Sequence, residues 1–304
     1  MDDSQGVSSP VVAVLGLGAM GLPMATRLAT QFAVRGFDPD SSRRRLGADE
    51  GVVDCSSARD AVSAAHVVLI AVRDNDQLTR LLFGEDGIAT SLIKGSVVVL
   101  TSTVGTDAIP ATVEGLAEYG VALVDAPLSG GPLRAGAGDL LIVVGAEPQV
   151  RAKVTPVLEA LATTITVVGD HPGAGQALKT VNQLLCGIHI AAAAEALALA
   201  GKLGLDPHST LAALEAGAAG SFMLSNRGPR MLQAYDDDGA DVLSRLDIFV
   251  KDMGIVGKAT RAVGLAAPVA AAAEQLFLLG QTQGLSARDD SAVIRVLAPT
   301  PGPE

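Results

Sequence analysis

A short glycine-rich segment constrains the fold of this chain more than any other feature. It follows the apolar run Val11–Leu15, precedes the helical stretch Met20–Thr30, and matches G-x-G-x-x-G. In this context the first glycine permits a tight turn, the second lets a pyrophosphate approach the backbone, and the third allows close helix–strand packing. The segment therefore predicts a dinucleotide-binding turn, although a purely structural glycine turn would also fit. Its residues are Gly16, Leu17, Gly18, Ala19, Met20 and Gly21.

The first half of the chain alternates short β-branched runs with helical stretches such as Ala111–Tyr119. This alternation is typical of an α/β domain with a doubly wound, mostly parallel sheet. The last strands follow one another closely, so we expect them to extend the sheet with antiparallel pairing. The predicted strands are Val11–Leu15, Ala33–Phe37, Val67–Val72, Val97–Leu100, Val121–Val124, Leu141–Val144 and Ile165–Val168, with a weaker one near Val52–Val53.

The sequence changes character after the glycine-rich segment Gly169–Gly175. Gln176–Leu203 has the pattern of one long helix rich in alanine and leucine, and further helices follow without a convincing strand. We therefore expect an α/β domain over residues 1–170 and an all-α domain over residues 171–304. The proline-rich end, residues 298–304, is expected to be disordered.

Composition limits the partners of this chain. Its 304 residues, 49% of them hydrophobic, are enough for two domains with substantial cores. Acidic residues outnumber basic ones by 33 to 22, and the net charge of −11 disfavours nucleic acid and anionic membranes as partners. Cys55 and Cys186 do not make a disulfide framework, and no cluster of residues has the spacing of a metal site.

We expect a soluble, cytoplasmic protein. The first ten residues are acidic and polar, and they lack the cationic start and apolar run of a signal peptide. The most hydrophobic stretch, Leu184–Ala200, is rich in alanine but contains His189 and Glu195. It is therefore interpreted as a core helix rather than a membrane span.

An acidic residue after the second predicted strand indicates which dinucleotide is bound. Asp38 lies at the interval expected for a carboxylate that binds the adenosine ribose diol. Such a carboxylate would repel the additional phosphate of NADP, so NAD is favoured. The three arginines Arg43, Arg44 and Arg45 are the opposing signal, because an arginine in this segment can bind a 2′-phosphate, although a charged run after a turn is usually a solvated helix face.

Four ordered segments carry a resemblance to a known family. They are the glycine-rich segment, Asp125–Gly131, Gly173–Gln183 and the pair Lys251-Asp252. Together they resemble the signature segments of the β-hydroxyacid dehydrogenases, a family related to 6-phosphogluconate dehydrogenase, over almost the whole chain. The resemblance implies a Rossmann domain followed by an all-α domain of the 6-phosphogluconate dehydrogenase type, which begins with a long interdomain helix and serves substrate binding and dimerisation.

The resemblance also implies roles for individual residues. Lys179 matches the catalytic lysine of the family, and Asn182, three residues on and on the same helix face, matches its substrate-orienting amide. An exposed helix lysine and a surface asparagine would be the ordinary alternatives. The implied carboxylate cradle is Ser129, Gly130 and Gly131, which a flexible glycine turn would also explain. The remaining implied cofactor contacts are Val72, Arg73, Thr103 and Lys251.

These residues predict an NAD-dependent dehydrogenase of a small hydroxy acid that forms a homodimer or homotetramer. Gln183–Ile190 and Asp289–Ile294 look most like the L-threonate dehydrogenase branch, where we would expect a histidine in place of Asn182. 3-Hydroxyisobutyrate dehydrogenase and tartronate semialdehyde (2-hydroxy-3-oxopropionate) reductase are the alternatives. An imine reductase or a non-catalytic dinucleotide-binding module would be expected to lack Lys179, and the module would also carry a basic segment.

Overall fold

A computed structural model describes residues 9–299, and the chain divides into two compact units, Met1–Lys179 and Thr180–Glu304. The predicted disordered end falls almost wholly outside the described residues. The predicted domain boundary at residue 170 precedes a long helix, whereas the two units divide within that helix. The domain limits therefore stay a prediction.

The first unit is built on one sheet, whose order is β3-β2-β1-β4-β5-β6-β8-β7, with β9 beside β8. The six strands β3, β2, β1, β4, β5 and β6 are parallel to one another. Strand β8 is antiparallel to β6 and β7, and β9 is parallel to β8. The doubly wound, mostly parallel sheet is thus confirmed, and the antiparallel pairing expected of the last strands holds for β8 but was wrong for β9. The described strands are β1 (Val12–Leu15), β2 (Val34–Phe37), β3 (Val53–Asp54), β4 (Val67–Ile70), β5 (Val97–Leu100), β6 (Ala122–Asp125), β7 (Leu128–Ser129), β8 (Leu140–Gly145) and β9 (Ala162–Gly169).

Helices cover both faces of this sheet, which is why its central strands are continuous apolar runs. Val12 and Val14 of β1 pack into one hydrophobic layer, and Ala13 and Leu15 pack into the other. Helices α1 and α7 contribute to the first layer, and α3, α4 and α5 to the second. The helices of this unit are α1 (Gly21–Ala29), α2 (Ser41–Asp49), α3 (Ala58–Val62), α4 (Asn75–Phe83), α5 (Ile109–Ala117), α6 (Gly131–Ala137) and α7 (Pro148–Leu161), followed by the start of α8 (Ala174–Lys202).

The strand ends differ from the predicted ones by up to three residues, most at β9, and one strand was not predicted. Strand β4 ends at Ile70, two residues before the predicted end at Val72, because the chain turns there into the loop before α4. Strand β7 was not predicted, because its two residues stand between Pro127 and a pair of glycines and carry no detectable alternation. It extends the sheet in the segment that was expected to bind an anion.

The second unit is helical throughout its described part. Residues 180–299 contain no strand, only an isolated bridge between Arg245 and Asp289, and the expected all-α architecture is confirmed. Phe249 stacks on Phe277 in its core, with ring centroids 5.2 Å apart. After α8 come α9 (Pro207–Ala216), α10 (Phe222–Gln233), α11 (Leu246–Ala262), α12 (Pro268–Thr282) and α13 (Ile294–Leu297).

A buried ion-pair cluster ties α10 to the segment before α13. Arg227 binds Asp290 through two hydrogen bonds of 3.1 and 2.8 Å, and Arg230 pairs with Asp289. Burial raises the pKa of Asp290, and Arg227 counteracts that shift. Asp289 also accepts hydrogen bonds from the backbone N–H groups of residues 243, 244 and 291. The Asp-Asp-Ser segment noted in the sequence therefore holds the helical unit together.

Among the described helices, α8 is long and apolar enough to span a membrane by length and composition. Core helices of soluble proteins pass the same test. Its side chains Ile190, Ala194 and Leu197 belong to the buried core of the second unit, as the sequence interpretation expected. Gln176 and Lys179, near its start, are also buried.

Candidate active site

The glycine-rich turn between β1 and α1 has the geometry that its spacing predicts. Gly16 has φ +90°, a conformation that favours glycine, and a Cβ there would lie 2.5 Å from the carbonyl oxygen of Ala71. A Cβ on Gly21 would lie 1.8 Å from the carbonyl oxygen of Gly16. A Cβ on Gly18 would meet nothing within 4 Å. The first and third glycines therefore serve packing, and the second leaves an open approach to the backbone.

The start of α1 is suited to bind an anion. No side chain caps its first turn at Met20, and that turn contains no acidic residue. Backbone N–H groups at such a helix start, together with the helix dipole, favour a phosphate. With the open approach at Gly18, this turn fits the pyrophosphate of a dinucleotide.

Asp38 follows β2 and faces the same turn. Its Oδ2 accepts a hydrogen bond of 2.7 Å from the backbone N–H of Leu17, and its Oδ1 accepts one of 2.9 Å from the N–H of Asp40. The carboxylate is thus held against the glycine-rich turn, where a ribose diol bound by that turn would meet it. The role of Asp38 in binding the ribose diol stays a prediction.

The other predicted cofactor residues of the first unit follow neighbouring parallel strands. Val72 and the exposed Arg73 lie in the loop after β4, where the N–H of Arg73 donates to Gln77, and Thr103 lies in the loop after β5. In a parallel sheet the carboxyl ends of adjacent strands meet at one edge, which is the usual position of a ligand site. The structure therefore brings both loops to the edge that carries the glycine-rich turn.

Lys179 and the predicted carboxylate cradle are in direct contact. The Lys179 ammonium group donates a hydrogen bond of 3.1 Å to the Ser129 hydroxyl, and the lysine is only 8% exposed. Gly130 and Gly131, with φ of 142° and 77°, turn the chain from β7 into α6, whose start has no side-chain cap. Consecutive N–H groups in such a turn can bind a carboxylate. A buried amine therefore lies beside a candidate anion site.

Sequence reasoning assigned no role to the two residues that hold this arrangement. Asp125, fully buried at the end of β6, accepts hydrogen bonds from the N–H groups of Gly173 and Gln176, of 2.9 and 2.8 Å, and from the Gln176 amide at 3.0 Å. Burial raises the pKa of Asp125, and the hydrogen bonds from Gln176 and Gly173 counteract that shift. The carboxyl group thus accepts hydrogen bonds from N–H groups at the start of α8, where Gln176 lies three residues before Lys179.

Gln176 also fixes the loop that carries Thr103. Its amide nitrogen donates to the carbonyl oxygen of Ser102 at 3.0 Å, and its amide oxygen accepts from the N–H groups of Val104 and Gly105, at 2.9 and 3.1 Å. One side chain therefore links the loop after β5, the end of β6 and the start of α8. The signal in the sequence that could have found Gln176 is its place in the Gly173–Gln183 segment, three positions before the lysine.

In the second unit, the buried Asp252 carboxylate binds Lys251 directly and is linked to Asn182 through Gln183. The Asn182 amide donates to the Gln183 amide oxygen at 2.9 Å, and Gln183 donates to Asp252 at 2.5 Å. The Lys251 ammonium group lies 2.8 Å from the other oxygen of Asp252. Asp252, which is 3% exposed, therefore holds Lys251 directly and Asn182 through one intervening side chain; in the sequence it was noted only as the neighbour of the lysine.

Comparisons with known proteins agree with these features. Residues 11–169 match the family model described as the NAD binding domain of 6-phosphogluconate dehydrogenase. Residues 173–297 match the model described as the NAD-binding of NADP-dependent 3-hydroxyisobutyrate dehydrogenase.

No group of three or more His, Cys, Asp or Glu residues suited to hold a metal ion occurs within residues 9–299.

Three relatives span nearly the whole chain. L-threonate dehydrogenase of Cupriavidus necator is 37% identical over 94% of this chain and 95% of its own length. 2-Hydroxy-3-oxopropionate reductase of Escherichia coli is 33% identical over 93% of this chain and 95% of its own. The crystal structure of a 3-hydroxyisobutyrate dehydrogenase from Salmonella typhimurium has a TM-score of 0.87 at 31% identity, and covers 95% of this chain and 100% of that one.

The sheet, the glycine-rich turn and these matches define an NAD(P)-dependent oxidoreductase that acts on CH–OH groups. More narrowly, the chain belongs to the β-hydroxyacid dehydrogenase family. The expectation from its four sequence segments is thereby confirmed at the level of fold, reaction class and family. The roles of the individual residues stay predictions.

The glycine-rich turn gives a matched pair of variants. Gly21→Ala places a methyl group against the carbonyl oxygen of Gly16, so the free energy of unfolding should fall by about 1–3 kcal/mol, the usual cost of overpacking. Gly18→Ala meets no neighbour and should leave stability unchanged while weakening NAD binding. Urea unfolding followed by circular dichroism, with NAD titration by calorimetry, separates the two. Equal losses of stability would contradict this division of roles.

Proposed function

We propose that this protein oxidises a small hydroxy acid with NAD, and that Lys179 carries the hydroxyl proton. The observation that carries this proposal is the buried Lys179 ammonium group, 3.1 Å from the Ser129 hydroxyl and beside the Gly130-Gly131 turn. A proton carrier next to an anion cradle is what the oxidation of a hydroxy acid requires. One site binds the carboxylate, and the other removes the proton from the hydroxyl group.

Each residue of the proposed site has its own role in binding or proton transfer. The N–H groups of Gly130 and Gly131 and the Ser129 hydroxyl hold the substrate carboxylate, and the Asn182 amide orients the substrate hydroxyl. In the oxidation direction, neutral Lys179 takes the hydroxyl proton on Nζ; in the reduction direction, the ammonium group returns it. A nicotinamide dinucleotide held there would supply the hydride-transfer chemistry at the carbinol carbon. The turn at residues 16–21 and Asp38 hold the dinucleotide, together with Val72, Arg73, Thr103 and Lys251.

We further propose NAD rather than NADP as the preferred cofactor. Support comes from the Asp38 carboxylate, which is fixed at the glycine-rich turn where it can accept both hydroxyls of a ribose diol. A carboxylate in that position repels a 2′-phosphate. The opposing observations are the arginine run in α2 and the NADP-dependent enzyme in the description of the second matched family model.

The favoured substrate is a C4 sugar acid resembling L-threonate. The support is the 37% identity to an L-threonate dehydrogenase, together with the Gln183–Ile190 and Asp289–Ile294 segments. 3-Hydroxyisobutyrate and 2-hydroxy-3-oxopropionate are the alternative substrates. A non-catalytic dinucleotide-binding module is the alternative of another class, but a module has no need of a buried lysine next to an anion cradle.

A spectrophotometric screen tests the substrate and the cofactor together. L-threonate and 3-hydroxyisobutyrate are supplied with NAD or NADP, and 2-hydroxy-3-oxopropionate with the reduced cofactors. We expect the highest kcat/KM with L-threonate, and a preference for NAD of about tenfold or more, which corresponds to about 1.4 kcal/mol. Faster turnover at low NADP than at low NAD would refute the cofactor assignment. Cofactor binding without turnover of any hydroxy acid would favour the module.

Removal of the Lys179 amine should abolish most catalysis without loss of cofactor. Lys179→Ala is expected to lower kcat by about 10²- to 10⁴-fold, the usual range for a lost general acid or base. NAD affinity should change little, because the glycine-rich turn and Asp38 are intact. Lys153→Ala, which removes an exposed lysine from α7, is the control and should behave like the wild type. Stopped-flow NADH formation at a near wild-type rate in Lys179→Ala would require another base.

We propose that the protein is a soluble, cytoplasmic homodimer or homotetramer. The support is a set of large apolar side chains that remain exposed in the second unit: Leu185, Leu199, Phe222, Val263 and Val269. Size-exclusion chromatography with light scattering should give a multiple of the chain mass of 30.7 kDa. Leu199→Glu should shift this mass downwards, whereas a wild-type monomer at micromolar concentration would exclude the assembly.

A further inference from the structure

The arginine run after β2 is not uniformly a solvated helix face. Arg43 and Arg45 are exposed, but the Arg44 side chain is only 19% exposed. The Arg44 guanidinium lies over the Phe37 ring, 5.6 Å from its centroid. One of the three arginines in this run is therefore packed against the end of β2.

Two further contacts fix the direction of Arg44. Its Nε donates to the Asp54 carboxylate on β3 at 2.9 Å, and its Nη1 donates to the carbonyl oxygen of Asp38 at 2.7 Å. The cation thus reaches the residue whose carboxylate is assigned to the ribose diol. Its charge, however, is directed to a second carboxylate, on the neighbouring strand.

The position of this ion pair connects it to cofactor choice. A 2′-phosphate replaces one hydroxyl of the ribose diol, so in an NADP complex it lies beside Asp38. The Arg44 cation pairs with the Asp54 carboxylate and contacts Asp38 only through its backbone carbonyl oxygen. While Arg44 is bound to Asp54, its charge is balanced by that carboxylate, so the Asp38 carboxylate opposes a phosphate dianion and the Arg44 guanidinium is not free to bind it in a bidentate way.

We propose that Asp54 is a selectivity residue that favours NAD by retaining Arg44. It acts through Arg44 and contacts neither the substrate nor the cofactor. The proposal rests on the proposed binding of the dinucleotide at Asp38, and it explains how an arginine run next to that site is compatible with a preference for NAD. Loss of the Asp54 charge should release Arg44 toward a 2′-phosphate.

The experiment measures binding of adenosine fragments to the full-length protein by calorimetry. The probes are 2′,5′-ADP, which carries the 2′-phosphate, and 5′-AMP, which does not. In Asp54→Asn we expect 2′,5′-ADP to bind about tenfold tighter than in the wild type, with 5′-AMP affinity unchanged within about twofold. No hydroxy acid is present, so this result is independent of whether the protein is a dehydrogenase.

A matched control and a double variant separate the possible causes. Asp60→Asn removes a carboxylate of similar exposure, 43% against 41%, that pairs with Arg35 of β2, and it should leave both affinities unchanged. Arg44→Gln/Asp54→Asn should lose the gain in 2′,5′-ADP affinity. If the double variant keeps the gain, removal of charge alone is the cause, or Arg43 or Arg45 binds the phosphate, and the retention of Arg44 is refuted.

A single variant keeps the test valid even if Asp54→Asn fails to fold. Because Asp54 retains Arg44 in the wild type, Arg44→Gln alone should not weaken 2′,5′-ADP binding. A loss of about fivefold or more relative to 5′-AMP would mean that Arg44 already binds the phosphate, which would overturn the proposal. Unchanged 2′,5′-ADP affinity in a folded Asp54→Asn protein would overturn it as well.

Discussion

The candidate site depends on the hydrogen bonds that the buried carboxyl group of Asp125 accepts from the start of α8. This group is buried at the carboxyl end of a central strand, where an ionised group is tolerated only with several hydrogen-bond donors. The start of α8 provides them, from Gly173 and from the backbone and side chain of Gln176. The positive end of the helix dipole lies in the same place. The first turn of α8 is therefore attached to the sheet by the hydrogen bonds that this buried carboxyl group accepts.

This attachment sets the position of Lys179 relative to Ser129. Ser129 lies four residues after Asp125, and Lys179 lies three residues after Gln176, so both distances along the chain are short and structured. The Gln176 amide extends the same network to the loop that carries Thr103. Without this side chain, buried N–H and C=O groups on that loop would lose their partners, at about 1–3 kcal/mol each. Gln176 therefore contributes both to the position of Lys179 and to the folding of the loop that carries Thr103.

Sequence patterns predicted the parts of this protein that depend on local order. The apolar β-branched runs gave the parallel strands, because strands buried on both faces need no alternation, and the glycine-rich segment gave the turn. The long helix followed from its alanine and leucine content. The residues that determine each of these features lie within about ten positions of one another along the chain, so their spacing alone identifies the feature.

The polar network was out of reach of the same reasoning. Asp125 and Gln176 meet across 51 positions of sequence, and Gln183 and Asp252 across 69. Periodicity indicates which side chains are buried, but not which buried polar groups are partners. Arg44 illustrates the same limit, since its run predicted a solvated face and the strand beside it supplied Asp54. In each case the tertiary fold, rather than the local sequence, decided what the side chain does.

The shared carboxylate of Asp252 has a consequence for any redesign of this enzyme. Through Gln183 it holds the amide proposed to orient the substrate, and directly it holds the lysine proposed to contact the cofactor. A substitution at either end changes the hydrogen bonding left for the other, so their effects should not add. In libraries that vary position 182 or 251 one at a time, the effect of each substitution will therefore depend on the residue at the other position. Productive changes in specificity should arise where both positions and Gln183 are varied together.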